Sequence, residues 1–327
     1  MPTVSIVMPV YNGAAYLEQT LDALLVQSYT DFEVICVNDS STDNSLAILE
    51  RYAARDGRIK VFTKPNQGLA SYSIAYGLTY ASGEFYMYSS QDDLYSPDLL
   101  EKGIAVAEQT QADVVIPNMI CYYGDGSDLS LRTFWQETVP DPAHTSPYDA
   151  FVLSLDWRIH GFCLYRTELV RSVGIDTSNY NSDELTTRQL FLFSRKIAFS
   201  DGIFYYRIDN PNAITKKMSL RLYEVFDTNE RLEELARSHG VDSCVIVRLR
   251  ELALNDVAIR QKLLYARGHE LTKAERCEAS YRTRQAYKRI SDKKDLFRKD
   301  WLRRLCFTHG FWLLKMSMYV RALCGKK

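Results

Sequence analysis

Acidic residues follow two apolar runs of the sequence, at positions where buried strands would end. Asp39 comes directly after the run Phe32–Asn38, and Asp92 and Asp93 follow the run Phe85–Ser89. A carboxylate at the end of a strand can accept hydrogen bonds from a nucleobase N–H or a ribose hydroxyl group. Two adjacent carboxylates are costly to bury unless they face a cleft, a cation or a helix end. Their oxygens are suitable ligands for Mg²⁺ or Mn²⁺ bridging a diphosphate.

Helix capping is the alternative interpretation of both acidic groups. Thr42 or Asp43 could accept hydrogen bonds from the first N–H groups of the next helix while Asp39 faces a crevice. The adjacent acidic pair could likewise cap a helix that begins at Pro97, and taken by itself such a pair favours capping.

The elements that would position these residues are predicted from the alternation of two patterns. Short runs rich in Val, Ile, Phe and Tyr have the length of buried strands: Val4–Val10, Phe32–Asn38, Ile59–Thr63, Phe85–Ser89 and Val114–Pro117. Segments with helical spacing lie between them: Ala14–Gln27, Thr42–Arg55, Leu69–Ala81 and Pro97–Gln109. This alternation predicts an α/β fold with an open, doubly wound, mostly parallel sheet. Because ligands bind at the carboxyl ends of the strands in such sheets, we expect the chemistry there.

The rest of the chain divides into two regions. From about residue 118 to residue 215 the pattern is mixed and rich in turns such as Gly124-Asp125-Gly126, which predicts short elements that complete the sheet. Beyond Lys216 the pattern is helical. We therefore predict one domain over residues 1–215 and a helical extension over residues 216–327.

Composition and charge restrict the class of protein. The 327 residues are 46% hydrophobic and 25% charged, which excludes a disordered, collagenous or multi-span membrane protein. The net charge of −1 hides an asymmetry, because residues 282–327 contain 14 Lys and Arg against 3 Asp and Glu. That segment carries +11 and the remainder −12. A basic end of this kind predicts an anionic partner.

The basic end contains an apolar stretch, Leu305–Leu323, that approaches the length of a membrane span. Three titratable residues interrupt it: His309, Lys315 and Arg321. Basic pairs flank it at residues 303–304 and 326–327, so we predict a helix lying in an anionic membrane interface. The alternative is a helix packed on the protein with its basic face in solvent. Nucleic-acid binding is disfavoured because no helix-turn-helix, zinc-finger or RNA-binding motif accompanies the charge.

Two features of the sequence bear on the cellular compartment of the protein. The seven cysteines are scattered without a CxxC pair, which predicts small buried residues with free thiols in a reducing cytosol. The first residues lack a basic stretch followed by an apolar one, so we expect no secretory signal. The predicted location is cytoplasmic and peripheral on the inner face of the cell membrane.

Several motifs follow one another in a fixed order along residues 1–215. They are Val4–Asn12, Asp31–Ile35 leading into Asn38–Asp43, Asn66–Leu69, Ser82–Phe85, Gln91–Asp93, Tyr206-Arg207 and Asn212–Thr215. Together they resemble the family 2 glycosyltransferases of the bacterial surface-polysaccharide type. The resemblance implies a GT-A fold, a nucleotide-sugar donor, a divalent metal (Mn²⁺ or Mg²⁺) and inversion at the anomeric carbon.

Carried over by position, the resemblance implies a set of donor-binding residues. Pro9, Tyr11 and Asp39 would line the nucleoside pocket, with uridine as the expected nucleoside. Asp92 would ligate the metal, and Asp93 would help to position the donor sugar.

The sequence departs from the family pattern at two places. Ser90 stands where the first acid of the DxD motif usually lies, and it could bind a ribose hydroxyl group or a water molecule. The loss of that charge predicts weaker metal affinity. No arginine follows Gly68 as it does in many members, so Lys64 is a candidate for a phosphate contact, with a solvated surface lysine as the alternative.

The general base of the family is an acid that opens a later helix. Asp183 matches it, with Glu184 as the alternative, and Ser182 or Asp183 could instead cap the helix. Inverting transfer needs this carboxylate within hydrogen-bond reach of the acceptor hydroxyl group. Arg188 could hold an anionic acceptor group or form an ion pair on the helix surface. His160 is expected to be structural.

The sequence therefore predicts an inverting glycosyltransferase that moves a sugar from a UDP-sugar to a glycan or lipid-linked glycan in cell-surface polysaccharide synthesis. The expected partners are this donor, this acceptor and an anionic membrane surface, without nucleic acid. The alternative is a non-catalytic, membrane-associated scaffold with a degenerate transferase domain, supported by Ser90 and by the missing arginine. A nucleotidyltransferase or an NAD enzyme is disfavoured because the first loop lacks a glycine-rich phosphate motif.

Overall fold

The computed structural model describes residues 1–124, 132–211, 213–293, 296–298 and 300–324. Part of the turn predicted at residues 124–126 lies outside these ranges. Asn212 of the last motif, and the basic residues Lys326 and Lys327, lie outside them as well.

Nine strands in the described residues form one sheet. They are β1 (Val4–Val10), β2 (Phe32–Asn38), β3 (Ile59–Thr63), β4 (Phe85–Tyr88), β5 (Leu94–Tyr95), β6 (Val114–Tyr122), β7 (Arg132–Thr133), β8 (Leu164–Arg166) and β9 (Ile197–Arg207). Their spatial order is β3-β2-β1-β4-β8-β6-β9-β5, and β7 pairs with β6. The pairs β3-β2, β2-β1 and β1-β4 are parallel, as is β6-β9. The α/β sheet is thus confirmed, and its second half mixes parallel with antiparallel strands.

Helices connect and cover these strands. In chain order they are α1 (Leu17–Leu25), α2 (Ser45–Arg55), α3 (Ala70–Leu78), α4 (Leu99–Thr110), α5 (Trp135–Thr138), α6 (Pro147–Ser154), α7 (Thr167–Val173), α8 (Ser182–Phe193), α9 (Val225–Ser238), α10 (Ser243–Arg267), α11 (Lys273–Arg289), α12 (Trp301–Arg303) and α13 (Phe311–Cys324). The first four begin one to three residues later than predicted. For α1 the reason is a hydrogen-bonded loop, in which the N–H groups of Gly13 and Ala14 donate to Ser45 Oγ and to Asp43 Oδ2.

The sheet is built around its most apolar strands. Every residue of β2 is buried, and β1 is buried except for partial exposure of Pro9. Helix α3 packs closely on this centre at Gly77, where an added Cβ would lie 2.5 Å from Val7 Cγ1. Because β2, β1 and β4 are parallel neighbours, their carboxyl ends meet at one edge of the sheet.

The chain divides into two compact units. Unit 1 comprises residues 1–177 and 182–210 and contains the sheet, and unit 2 comprises residues 178–181 and 211–327. Unit 2 has its own apolar core, in which α10, α11 and α13 participate. The chain therefore passes into unit 2 at Pro211, whereas the domain boundary at residues 215 and 216 stays a prediction.

The C-terminal segment differs from the single helix predicted over Leu305–Leu323. Residues Arg304–Thr308 form a π-helical turn, and α13 starts at Phe311. Gly310 separates them with φ +146°, a backbone conformation that side-chain-bearing residues rarely adopt. In the described part of the chain, no helix is both long enough and apolar enough to cross a membrane. Six of the cysteines are free thiols: Cys36, Cys121, Cys163, Cys244, Cys277 and Cys306. Cys36 and Cys163 are buried as predicted, whereas Cys244 and Cys277 are exposed, so the prediction of buried residues was wrong for these two.

Candidate active site

The loop after β1 forms one wall of the edge where β2, β1 and β4 end. Tyr11 is exposed there, and its backbone is held by Gln91 from the loop after β4. Tyr11 N donates to Gln91 Oε1 over 2.8 Å, and Gln91 Nε2 donates to Tyr11 O over 3.2 Å. Gly13 leaves room for this amide, because an added Cβ would lie 2.4 Å from Gln91 Oε1. Gln91 is a positioning residue that the sequence offered as part of a motif but without a role.

The loop after β2 lies beside the loop after β1. The backbone N–H and the side-chain hydroxyl group of Thr42 both donate to Asn12 Oδ1, so Thr42 is not the one of the two candidates that caps α2. Asp43 meets the capping prediction in part, since its Oδ1 accepts from the first helical N–H, that of Ser45. Its Oδ2 accepts from Ala14 N and so ties the two loops together.

Asp39 is buried at this edge and is paired with a lysine. Its backbone N–H donates to Val10 O over 2.8 Å, which holds it beside the end of β1. Lys64 Nζ lies 2.6 Å from Asp39 Oδ1 and also donates to Pro65 O. Lys64 is buried as well, so the expectation of a solvated surface lysine was wrong, and its ammonium group is engaged by Asp39. The candidate for a phosphate contact is thus placed beside the predicted nucleoside-binding acid, and its role as a phosphate contact stays a prediction.

This pair leads to a prediction about stability. We expect Lys64→Ala to lower the free energy of unfolding by about 3–5 kcal/mol, because it leaves the Asp39 carboxylate buried without its partner. Lys102→Ala is the matched control, since Lys102 pairs with Asp98 at an exposed site and its loss is expected to cost less than about 1 kcal/mol. Urea unfolding of both variants measures the difference. Equal losses for the two variants would show that the buried pair is unimportant for folding.

The acidic loop after β4 contains three of the predicted residues. Ser90 Oγ donates to Asp92 Oδ1 over 2.6 Å, and Asn210 Nδ2 donates to Asp92 Oδ2 over 2.7 Å. Asp93 is 1% exposed, and its Oδ1 accepts from Arg207 N over 3.0 Å. Burial, together with the neighbouring Asp92 carboxylate, raises the pKa of Asp93 well above its ordinary value. Since α4 starts at Leu99, beyond this loop, the acidic pair does not cap it, and the capping interpretation was wrong.

Arg207 supports the acidic loop from the end of β9. Its Nε donates to the backbone oxygen of Asp92 over 2.9 Å, in addition to the contact of its N–H group with Asp93. The guanidinium group lies 4.5 Å from the ring centre of Tyr16 and 4.8 Å from that of Tyr122. Arg207 therefore positions the loop, and the Tyr206-Arg207 motif was the sequence signal for it.

The carboxylate oxygens of the acidic loop fit a metal ion that the protein and a substrate hold jointly. Among the described residues, no three His, Cys, Asp or Glu side chains come together as a metal-binding group. Mg²⁺ is commonly bound by one or two carboxylates together with substrate phosphates, and Asp92 provides one such carboxylate. The Oδ2 of Asp93 in the same loop has no hydrogen-bond partner within the described ranges, and it is buried.

A cleft in unit 1 contains the predicted base. Its empty volume, which includes open solvent at the mouth, is about 450 Å³. The lining residues are Tyr88, Ser154, Trp157, Ile159, His160, Gly161, Phe162, Asp183, Glu184, Thr187 and Arg188. Tyr88 connects the cleft to the donor edge, since it lines the cleft and ends β4. Burial raises the pKa of Tyr88, and the charges of Asp93, Asp183 and Asp92 raise it further.

Asp183 and Glu184 have different surroundings in this cleft. The Asp183 carboxyl group reaches solvent through the mouth, while protein atoms surround it on the other sides. This partial desolvation, and the negative charge of Glu184, raise the pKa of Asp183 to about 6. Glu184 forms an ion pair with Arg188, one turn further along α8. Asp183 is therefore better suited than Glu184 to accept a proton.

The remaining polar residues of the cleft are structural. Arg188 is buried, not on the helix surface, and its Nη2 donates to Ser154 O over 2.9 Å. His160 is structural as expected: Nε2 lies 2.9 Å from Pro117 O, and Nδ1 accepts from Phe162 N. Burial lowers the pKa of His160 to about 4, so the imidazole is neutral near pH 7.

Trp157 is a residue of the cleft that the sequence did not single out. Its side chain is 51% exposed, and its backbone has φ +57°, the left-handed region that a bulky residue rarely adopts. Such conformations are concentrated at functional sites. The exposed ring beside Asp183 is a flat apolar surface at the opening of the cleft.

Solved structures show the class of fold. The crystal structure of S. aureus TarS 1–349 in complex with UDP-GlcNAc matches 99% of this chain and 91% of that chain, with a TM-score of 0.70 and 16% sequence identity. The mannosyltransferase PcManGT from Pyrobaculum calidifontis, in complex with GDP-Man and Mn²⁺, matches with a TM-score of 0.54 and 15% identity over 99% of this chain and 86% of that chain. The predicted GT-A fold is thereby confirmed.

The family follows from the sequence match. The model of the family described as glycosyl transferase family 2 matches residues 5–174, which is more than half of the chain. The chain belongs to glycosyl transferase family 2 and is a glycosyltransferase. The glycosyltransferase GlyG of Streptococcus pneumoniae serotype 4 is 29% identical over 62% of this chain and 70% of that protein. EpsJ of Bacillus subtilis, an uncharacterized glycosyltransferase, is 31% identical over 66% of this chain and 64% of that protein.

Proposed function

We propose that this chain transfers a sugar, with inversion, from a UDP-sugar to a hydroxyl group of a glycan or lipid-linked glycan in cell-surface polysaccharide synthesis. The observation that carries the proposal is the setting of Asp183. This carboxyl group is raised in pKa and accessible from a cleft that Tyr88 connects to the acidic loop. A base in a cleft that adjoins a leaving-group site at Tyr88 is an arrangement that suits an in-line displacement.

The donor end of the site is formed by the loops after β1, β2 and β4. Asp39 can accept a hydrogen bond from the imide N–H of uracil, and the exposed ring of Tyr11 provides a neighbouring surface. The complexes of TarS with UDP-GlcNAc and of PcManGT with GDP-Man and Mn²⁺ support a nucleotide-sugar donor and a metal. Asp92 would hold a divalent ion together with the donor phosphates, and such an ion neutralises the charge that develops on a leaving diphosphate.

At the acceptor end, Asp183 accepts the proton of the attacking hydroxyl group. The acceptor oxygen forms a bond to the anomeric carbon while the bond from that carbon to the diphosphate oxygen breaks. The bonding electrons leave with the diphosphate, and attack from the opposite face inverts the configuration. The exposed ring of Trp157 lies where an acceptor sugar can pack against it. Arg188 does not bind an anionic acceptor in this scheme, because Glu184 and Ser154 engage it.

The proposed location is the inner face of the cell membrane, where lipid-linked acceptors are available. The supporting observation is the basic C-terminal segment, with 14 Lys and Arg against 3 Asp and Glu over residues 282–327. Attraction of basic residues to anionic lipids holds a protein peripherally on such a surface.

A donor screen tests the function. The full chain is incubated with UDP-, GDP- and dTDP-sugars and with Mn²⁺ or Mg²⁺, and release of the nucleoside diphosphate is measured with and without glycan acceptors. We expect metal-dependent release from a UDP-sugar, because water can replace the acceptor hydroxyl group and hydrolyse the bound donor slowly. Absence of release from every donor, with nucleotide binding retained, would favour the non-catalytic scaffold.

The pH dependence of turnover follows from the raised pKa of Asp183. The carboxylate is the active form of a base, so kcat/KM is expected to rise with pH through about 6 and to level off above it. An aspartate with an ordinary pKa of about 3.9 would already be ionised at about pH 5. Initial rates at saturating metal measure the profile. A flat profile between about pH 5 and 7 would contradict the assignment of Asp183 as the base.

A further inference from the structure

Helix α13 is apolar on its buried side. Leu314, Met318 and Ala322 are buried, and Leu314 and Met318 belong to the core of unit 2. The spacing of four residues places these three side chains on one face of the helix. This face holds α13 in unit 2.

The opposite side of α13 is apolar as well, and it is exposed. Trp312 is 68% exposed, and Met316, Tyr319, Val320 and Leu323 are each about half exposed. The residues just before this helix continue the pattern with exposed Trp301, Leu302 and Leu305. A surface helix normally carries polar residues opposite its buried stripe, so this arrangement requires an explanation. We refer to these eight side chains as the apolar face.

Basic residues outnumber acidic ones around the apolar face. Residues 301–324 contain four Lys and Arg and no Asp or Glu: Arg303, Arg304, Lys315 and Arg321. Asp300, one residue before this range, forms an ion pair with Arg303. The segment therefore combines exposed apolar area with a net positive charge.

We propose that the apolar face docks unit 2 on an anionic lipid bilayer while α13 stays packed in its core. Tryptophan and tyrosine are enriched at the membrane–water interface, where an apolar ring meets a polar boundary, and Trp301, Trp312 and Tyr319 are such residues. Long basic side chains next to inserted apolar ones are attracted to anionic headgroups. This inference rests on the peripheral location proposed above and identifies the surface responsible for it.

The positive charge of residues 301–324 disfavours a second copy of the chain as the partner that covers the apolar face. A two-fold symmetric dimer places the same patch on both subunits. The charges of Arg304, Lys315 and Arg321 would then face their own copies, since Asp300, the nearest acidic residue in the sequence, is already paired with Arg303. An anionic bilayer pairs with the same charges favourably.

The packing of α13 in unit 2 distinguishes this way of docking from membrane binding by a detached amphipathic tail. An unpacked tail would bury its single apolar side in lipid. In α13 the side with Leu314 and Met318 is already buried inside the protein. Docking therefore needs no unfolding of unit 2. The apolar residues that insert are those on the other side, at Trp312 and Met316.

Vesicle sedimentation of the full chain tests the proposal. We expect the protein to pellet with phosphatidylcholine vesicles containing about one third phosphatidylglycerol, to pellet much less with pure phosphatidylcholine, and to dissociate at high salt. The double variant Trp312→Ser/Met316→Ser should bind at least about tenfold more weakly. Ile259→Ser, which removes an exposed apolar side chain from α10, is the matched control and should bind like the wild type.

Folding and activity are measured on the same samples. The double variant should keep the wild-type circular dichroism spectrum and its release of nucleoside diphosphate from soluble donor, which separates docking from the proposed chemistry. Equal sedimentation of the folded double variant and the wild type would overturn the proposal. So would absence of wild-type sedimentation, equal binding to neutral vesicles, or a concentration-dependent dimer that the double variant abolishes.

Discussion

Asp183→Asn is expected to lower turnover by about 10²–10⁴-fold, because the amide cannot accept the proton of the acceptor hydroxyl group. The substitution preserves the shape of the side chain and removes only its capacity to carry the negative charge. Since the donor end is formed by other loops, the affinity for UDP in the presence of metal should remain within about twofold of the wild type. Transfer rates and isothermal titration with UDP measure the two quantities separately.

Glu184→Gln distinguishes the two candidate bases. It removes the ion pair with Arg188, which is buried against Ser154, so we expect a loss of stability with transfer largely retained at low temperature. Near-normal turnover in Asp183→Asn, together with loss of turnover in folded Glu184→Gln, would transfer the role to Glu184. Loss of UDP binding in Asp183→Asn would instead show that this residue maintains the donor site.

Asp92→Asn is expected to have the second large effect, through the metal. Removal of the charged ligand should lower kcat/KM by at least about 100-fold and abolish the gain in UDP affinity that Mn²⁺ provides. The neutral amide can still accept the hydrogen bond from Ser90 at its oxygen, but it loses the one from Asn210 Nδ2. Arg207 continues to hold the backbone oxygen of this residue, so the loop should keep its conformation. Titration of UDP with and without Mn²⁺ measures the effect directly.

Two further variants sharpen the assignment of Asp92. Asp98→Asn removes a charge from the exposed start of α4 and should leave the metal dependence unchanged. Ser90→Asp restores the acid that the family pattern places there, so a lower Mn²⁺ concentration should give half-maximal rate. An Asp92→Asn variant with wild-type Mn²⁺ dependence would show that the metal is held by other groups or is not used.

The sequence by itself determined the arrangement of the first half of the fold. Apolar runs of strand length became β1, β2 and β3 with the predicted bounds, because segments of that kind are stable only when buried in a sheet. Their order along the chain placed Asp39 and the acidic loop after β4 at one edge. Local composition is sufficient for the bounds of these strands, since each strand depends on residues within a few positions of one another, whereas the shared edge depends on the pairing of distant strands.

The tertiary structure decided which residues that are distant in the sequence contact one another. Asp39 and Lys64 are 25 positions apart, and Arg207 reaches the backbone of Asp92 across 115 positions. Their proximity depends on strand order and on side-chain rotamers, which no local pattern encodes. The roles of Gln91 and Trp157 were missed for the same reason. Gln91 holds the backbone of Tyr11, and Trp157 stands out because its ring is exposed in the cleft, and neither property can be read from the sequence.

The C-terminal segment shows the difference most clearly. Its sequence identified the apolar and basic residues, and it left open a helix in the membrane interface or a helix packed on the protein. Gly310 ends one helical turn and allows α13 to begin, so the apolar residues are divided between a face in the core of unit 2 and a face in solvent. That division is a property of packing, because an apolar residue is buried only where a neighbouring element has space for it.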